Sequence, residues 1–352
     1  MNLLLTFDYE LYGDGSGDVF KEMIHPTDVI FDICDKYEIK TTLFFEVIEY
    51  IKIREEWLRG NSMGYNENPV KAIEEQLKRA LETGHDIQLH IHPQWVDAQY
   101  IDNKWDVNMN KWRLGDFRHE NYTIKELIKK GKDVLESLLK PIDSNYRCIA
   151  IRAGGYNIMP SSEVYRAIQE LGLRIDSSLY PGGYEEGTLS RYDYRNIPLN
   201  KDYWVADKED IRLSSKAEDG TSIYEIPIFA LPLPRWRKIN FFRLKSFLKN
   251  RKSSLRNIKA KTSNSDKISK LNFLLEREAL TWDFCLFQMS LHKHFIKYIY
   301  NNLKDERNSF VLIGHPKGFS SAVNFEKFIN YALKKDFTFC SLKAYYTTIL
   351  DE

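Results

Sequence analysis

Thr83-Gly84-His85-Asp86-Ile87-Gln88-Leu89-His90-Ile91-His92-Pro93 reads as a joint between a helix and a strand. Residues 68–83 before it have helical spacing, and Gly84 suits the left-handed residue that ends a helix. Residues 86–90 form a short strand-like run, and two imidazoles stand at its far end. Upstream, residues 2–7 read as a buried strand that ends in Asp8-Tyr9-Glu10. A helix is expected from Pro26-Thr27-Asp28, with Val29, Ile30, Ile33 and Tyr37 on one face, and a second strand at residues 40–45. Downstream the alternation continues: helix 124–139, strand 148–152, helix 162–171, strand 173–176, strands 222–228 and 310–313, and helices 325–333 and 341–350. Between Trp95 and Phe117 lies a polar, Trp-rich loop long enough to suggest function.

Strands separated by helices imply βαβ units and parallel pairing, hence an α/β fold. About seven repeats over a single domain, residues 1–352, favour a barrel, with an open doubly wound sheet as the main alternative. In either, catalytic groups belong at the C-terminal ends of strands, and polar residues follow strand after strand there: Asp8 and Glu10, Glu46, His90 and His92, Arg152, Asp176 and His315.

Composition narrows the class. The chain is 43% hydrophobic and 29% charged, values of an ordinary globular protein, and its net charge of +1 makes no global case for a nucleic-acid or membrane partner. That average hides a segment, residues 235–270, with thirteen Lys/Arg against one acidic residue, Asp266. It reads as a basic helical insertion (235–275), either simply solvated or a surface for anionic lipid or a lipid-linked glycan; no nucleic-acid motif accompanies it. Cys34, Cys148, Cys285 and Cys340 are scattered, as expected of thiols in a reducing compartment. No run resembles a signal peptide or a membrane span, so the expectation is a soluble, cytoplasmic protein, or one peripheral to the membrane through the basic segment.

Residues two apart in a strand share a face, so His90 and His92 could present imidazoles to one metal ion. Asp8 and Glu10 have the same spacing, which allows one carboxylate to bind the ion and the other to act as base. His85 is expected to be a packed histidine, and His292 and His294, two apart in a helical stretch, to be surface residues. Glu46 is a spare ligand or substrate contact. Tyr156 and Trp95 are candidates for stacking on a sugar ring or for simple packing. No GxSxG elbow, phosphate loop or GxGxxG run is present.

Thr6-Phe7-Asp8-Tyr9-Glu10 resembles the first motif of the polysaccharide deacetylases (NodB-homology, carbohydrate esterase family 4). Gly84-His85-Asp86-Ile87-Gln88-Leu89-His90 looks like their second motif, and Arg152-Ala153-Gly154-Gly155-Tyr156 like the third. Arg174-Ile175-Asp176-Ser177-Ser178 fits the strand after it, and Leu312-Ile313-Gly314-His315 resembles the last. The resemblance implies a distorted (β/α) barrel that removes acetyl groups from an N-acetylated sugar with zinc or a similar divalent ion. It implies Asp8 as catalytic base, His90 as metal ligand, Arg152 as the residue that orients the base, His315 as general acid, and Asp176 as the carboxylate that tunes His315. The family's second aspartate falls at Tyr9 and its second histidine at Gln94. Glu10 and His92 are the proposed substitutes. The function expected is de-N-acetylation of a sugar or sugar intermediate of surface polysaccharide assembly by metal-activated water. The alternatives are another linear-amide or formyl hydrolase on the same scaffold, or an inactive carbohydrate- or carrier-binding relative.

Overall fold

The computed structural model describes residues 1–238 and 275–351. Seven parallel strands form the centre: β1 (Asn2–Tyr9), β2 (Thr42–Glu46), β3 (Asp86–Ile91), β4 (Ala150–Ala153), β5 (Ile175–Asp176), β6 (Tyr224–Glu225) and β7 (Ser309–Gly314). Their spatial order is β6-β5-β4-β3-β2-β1-β7. Trp204–Val205 adds an antiparallel strand outside β6, and Thr338–Phe339 a short parallel one beside β1. The sheet curls until its ends meet. Ile228 and Asp283 form single parallel bridges to Val311 and Ile313 of β7, where the Phe229 and Phe284 amides donate to the Val311 and Ile313 carbonyls. This is the distorted (β/α) barrel expected, not an open doubly wound sheet.

β1, β2 and β7 are nearly continuous apolar runs because both of their faces are covered. Leu3, Leu4, Leu5 and Phe7 of β1 and Leu43, Phe44 and Phe45 of β2 are all fully enclosed. The connecting helices are α1 (His25–Lys36), α2 (Val47–Leu58), α3 (Pro69–Glu82), α4 (Ile124–Leu139), α5 (Ser162–Glu170), α6 (Met289–Asn302), α7 (Ala322–Leu333) and α8 (Leu342–Asp351). α4 has the expected bounds and opens on a capping box made by Thr123 and Glu126. α3 is capped by Asn68, and Gly84 beyond its end takes φ +87. α2 was not foreseen. It follows β2 with no break in an apolar run, and its cap is a glutamate, Glu46, which accepts the Ile48 and Glu49 amides.

Two expectations change here. His292 is not a surface residue: it is buried, stacks on Phe328 at 4.1 Å and accepts the Trp282 indole N–H at 3.0 Å. The 95–117 loop contains an antiparallel hairpin, Gln99–Ile101 with Lys104–Asp106, that is folded around Trp95 and Trp105. The basic insertion lies outside the described residues, apart from its edges. It connects the strands Ala230–Pro234 and Arg277–Thr281, an antiparallel pair. Among the described residues no helix is long and apolar enough to cross a membrane.

Asp176 of β5 and Glu225 of β6 are register partners and both are fully buried. Burial pushes the Asp176 carboxyl up, although bonds from Glu225 and Ser178 oppose it, and burial and then the Asp176 charge push Glu225 up further. A carboxyl raised on folding holds its proton better in the native state, so its stabilisation is full at low pH and fades as pH rises through the folded value. Glu225→Gln is therefore expected to melt higher than the native chain at pH 8–9, by a few degrees, roughly 1 kcal/mol, and to converge with it toward pH 5. Thermal melts across that range measure it, and parallel curves would remove the shared-proton account.

Candidate active site

The C-terminal edge of the barrel brings together side chains from four strands. Strand alternation decides which. Asp8 and Glu10 emerge on one face, whereas Tyr9 between them points outward and donates its hydroxyl to Gln76 of α3 at 2.6 Å. His90 and His92 likewise share a face, with Ile91 buried between them. Gly314 pairs with Phe7, which sets the following His315 beside Asp8. His90 is the register partner of Arg152.

Arg152 is fully buried and each of its three nitrogens is committed. It gives Nη1 to Asp8 Oδ1 at 2.8 Å, Nη2 to Thr6 Oγ1 and Ser177 Oγ at 2.9 and 3.1 Å, and Nε to the Ser177 carbonyl at 2.8 Å. Burial alone would push Asp8 up, but the Arg152 guanidinium, and after it His315, outweigh it and hold the carboxyl well below the usual range. The second oxygen, Oδ2, lies 3.5 Å from His315 Nε2 and 3.8 Å from His90 Nε2. His315 is shifted oppositely: burial lowers it, yet the hydrogen bond and charge of Asp8 raise it above its ordinary value, which favours the imidazolium.

Glu10 faces both histidines. Its Oε2 is 2.8 Å from His92 Nε2 and 3.5 Å from His90 Nε2, and its Oε1 accepts from Lys317 Nζ at 2.7 Å. Burial opposes its ionisation, but Lys317 and His92 hold it well below the usual carboxylate value. His90 Nδ1 lies 2.9 Å from the Arg152 carbonyl, an acceptor, so the proton sits on Nδ1 and Nε2 offers a lone pair. That Nε2 is buried without a hydrogen-bond partner while it faces two carboxylates. A lone pair turned on anionic oxygens lacks positive charge between them. Glu10, His90 and His92, with ligand atoms all within 4.8 Å, are a donor set that a divalent cation fits. Burial keeps His92 low, more than Glu10 raises it, which suits a neutral ligand. A second group, Asp8, Glu10 and His315, shares Glu10 with the first.

Gly154 makes the histidine pair possible. A Cβ there would sit 2.4 Å from His92 Nδ1. The residues after it, Gly155 (φ +57) and Tyr156 (φ +65), are both left-handed and turn the Tyr156 side toward a cavity of about 200 Å³. Asp8, Glu10, His92, His315 and Lys317 line that cavity with Tyr156 and Trp112. Roomier clefts elsewhere, about 570 Å³ beside Tyr184 and about 660 Å³ around Asp97, are walled by charges already paired together, such as Arg195 with Asp193 and Lys111 with Asp97. They carry no comparable constellation.

Several placements differ from expectation. Trp95 is buried in the core, edge-on to Trp105 at 5.3 Å, and does not line the cavity; the indole there is Trp112, edge-on to His92 at 5.4 Å, with its N–H unpartnered. Asp176 bonds Ser178 and Glu225, and the carboxylate against His315 is Asp8. Glu46 caps α2, and the Gln94 amide lies 2.9 Å from His92 Nδ1. His85 is packed on Phe31 at 4.3 Å, and burial lowers its pKa to about 4. Lys317 and Trp112 were not foreseen. Lys317 stands two residues past His315, the same spacing as the other pairs, and that was the signal available.

No protein-family model matches this chain, and no curated protein matches it in sequence. Among solved structures, a putative polysaccharide deacetylase from Mycobacterium smegmatis superposes with TM-score 0.50 at 13% identity, over 99% of this chain and 90% of that one. A probable polysaccharide deacetylase from Pseudomonas aeruginosa PAO1 gives TM-score 0.47 at 12% identity, over 97% and 88%, and the Puue allantoinase 0.48 at 11%, over the same shares. The fold is thus of the polysaccharide deacetylase type, in agreement with the five motif segments.

Gly154→Ala is expected to displace the His92 ring and to weaken zinc binding at least about tenfold while the fold survives, as calorimetry and circular dichroism would measure. Trp95→Ala should cost about 3–5 kcal/mol of stability in denaturant titrations.

Proposed function

We propose that this chain is a metal-dependent hydrolase that removes the acetyl group from an N-acetylated sugar, with zinc or a similar divalent ion held by Glu10, His90 and His92. The observation that carries the reading is the unpartnered Nε2 lone pair of His90, aimed at Glu10 and Asp8 inside a cavity that also holds His315. The fold likeness to the Mycobacterium smegmatis structure supports the class.

Such an ion, when bound, polarises an amide carbonyl and acidifies a water molecule. The protein's own groups do the rest. Asp8 is kept ionised by Arg152, so its Oδ2 can take a proton from the attacking water. His315, raised toward its charged form by Asp8, gives a proton from Nε2 to the departing amine nitrogen, which leaves poorly without one. Trp112 and Tyr156 wall the cavity and offer aromatic faces and one unpartnered indole N–H to a sugar. The free state of all four cysteines fits a reducing compartment, and we assign the activity to the cytoplasm. A sugar intermediate of surface polysaccharide assembly suits that location better than a finished wall polymer.

Purified protein is expected to carry about one equivalent of a divalent ion, lost in a His90→Ala, His92→Ala double variant. Acetate release from N-acetylated sugars should fall by roughly 100-fold or more in Asp8→Asn, with metal content retained. Formate release in place of acetate would redirect the reading to a deformylase, and absence of metal at every ion offered would end it.

A further inference from the structure

Lys317 has no task in the chemistry just described. It lies in the 3-10 turn Pro316–Gly318 that follows His315. Its ammonium donates to Glu10 Oε1 at 2.7 Å and to the Leu11 carbonyl at 2.6 Å, and it stands over the Tyr12 ring at 5.5 Å. Only 13% of the side chain is exposed, and it lines the same cavity as Asp8, His92 and His315.

A buried ammonium beside a metal ligand is electrostatically unfavourable for metal binding, since it both competes for Glu10 and repels the ion. Holding a cation alone would be better served by a neutral residue. The charges make the point concrete. Asp8 pairs with Arg152 and Glu10 with Lys317, so the four cancel before any ion enters. A divalent ion then adds positive charge to an enclosed site that Lys317 and the protonated His315 already share. An ammonium has three N–H donors, and the two bonds above leave a third for the cavity.

We propose that Lys317 is a specificity-determining residue that selects acylated amino sugars bearing an anionic group, a carboxylate or a phosphate, on the same ring. This rests on the hydrolase reading above and names its substrate class. The third N–H of Lys317 donates to that anion, and the surplus positive charge is offset only when such a substrate is seated. Glu10 keeps the ammonium at the cavity wall, so the lysine is positioned before substrate arrives.

The test compares the zinc-loaded native protein with Lys317→Met and Lys317→Arg on N-acetylglucosamine, N-acetylglucosamine 6-phosphate and N-acetylglucosaminuronic acid. The native protein is expected to favour at least one anionic sugar by about tenfold or more in kcat/KM, the size of one charge-assisted hydrogen bond. The two anionic sugars separate phosphate from carboxylate. Lys317→Met should erase the preference mainly through KM, and Lys317→Arg should keep most of it. Calorimetric titration with zinc alone should show Lys317→Met binding the ion more tightly. A native protein without preference, or a folded, zinc-loaded Lys317→Met protein with the preference intact, would overturn the proposal. If no sugar releases acetate, the hydrolase reading fails separately. Calorimetric binding of glucosamine 6-phosphate then decides the role of Lys317: weaker binding by Lys317→Met upholds it, and equal or absent binding refutes it.

Discussion

A guanidinium sealed inside a barrel has to be matched donor by donor, and Arg152 is matched by Asp8, Thr6, Ser177 and the Ser177 carbonyl. Removing Asp8 would strand the charge, and removing either hydroxyl would strand an N–H, where water cannot reach it. This network ties β4 to β1, and through the Arg152 carbonyl it also fixes the tautomer of His90 on β3. Thr6 in turn donates to the Leu312 carbonyl of β7, which joins the strand that carries His315. One buried cation therefore sets the ionisation of Asp8, the lone pair of His90 and the spacing of four strands. The guanidinium also lies over the Phe44 ring at 4.0 Å, which brings β2 into the same contact.

Around that anchor the chemistry follows from a two-residue repeat. Asp8 and Glu10, His90 and His92, and His315 and Lys317 are each separated by one residue; all but His90 line the cavity, and His90 faces Glu10 from behind it. An acid in the place of Tyr9 would point toward Gln76 and α3, away from the imidazoles. The acid-x-acid arrangement thus keeps both carboxylates on the useful face. His92 needs room as well as direction, and Gly154 on the neighbouring strand's exit supplies it. The two are linked, since a histidine ring at this position leaves no space for a side chain on residue 154.

Much of this was legible beforehand. The parallel α/β alternation was visible because strands such as β1 and β7 are nearly continuous apolar runs closed by a glycine, a cap or a turn, and α4 was bounded correctly by its own capping box. α2 escaped because β2 runs into it through Glu46 and Val47 with no punctuation, and its buried residues occupy more than one face. Trp95 could not be decided between stacking and packing, and Trp112 was missed, because both lie in an irregular loop, where spacing carries no information about direction. Asp176 was assigned to His315 by the resemblance to the polysaccharide deacetylases, but its register partner is Glu225, and a contact across strands outranks a motif's order along the chain.

The sequence by itself determined which residue types stand at the strand ends and on which side of each strand they face, because those follow from local periodicity and from the order of βαβ units. It could not decide which strand ends become neighbours at contact distance. Curling the sheet brings His315, near the end of the chain, against Asp8 near its start, and sets Lys317 on Glu10. Such contacts are made across more than 300 residues of chain by the closure of the barrel, and a distance of that kind is a property of the packed sheet, which no local run of residues encodes.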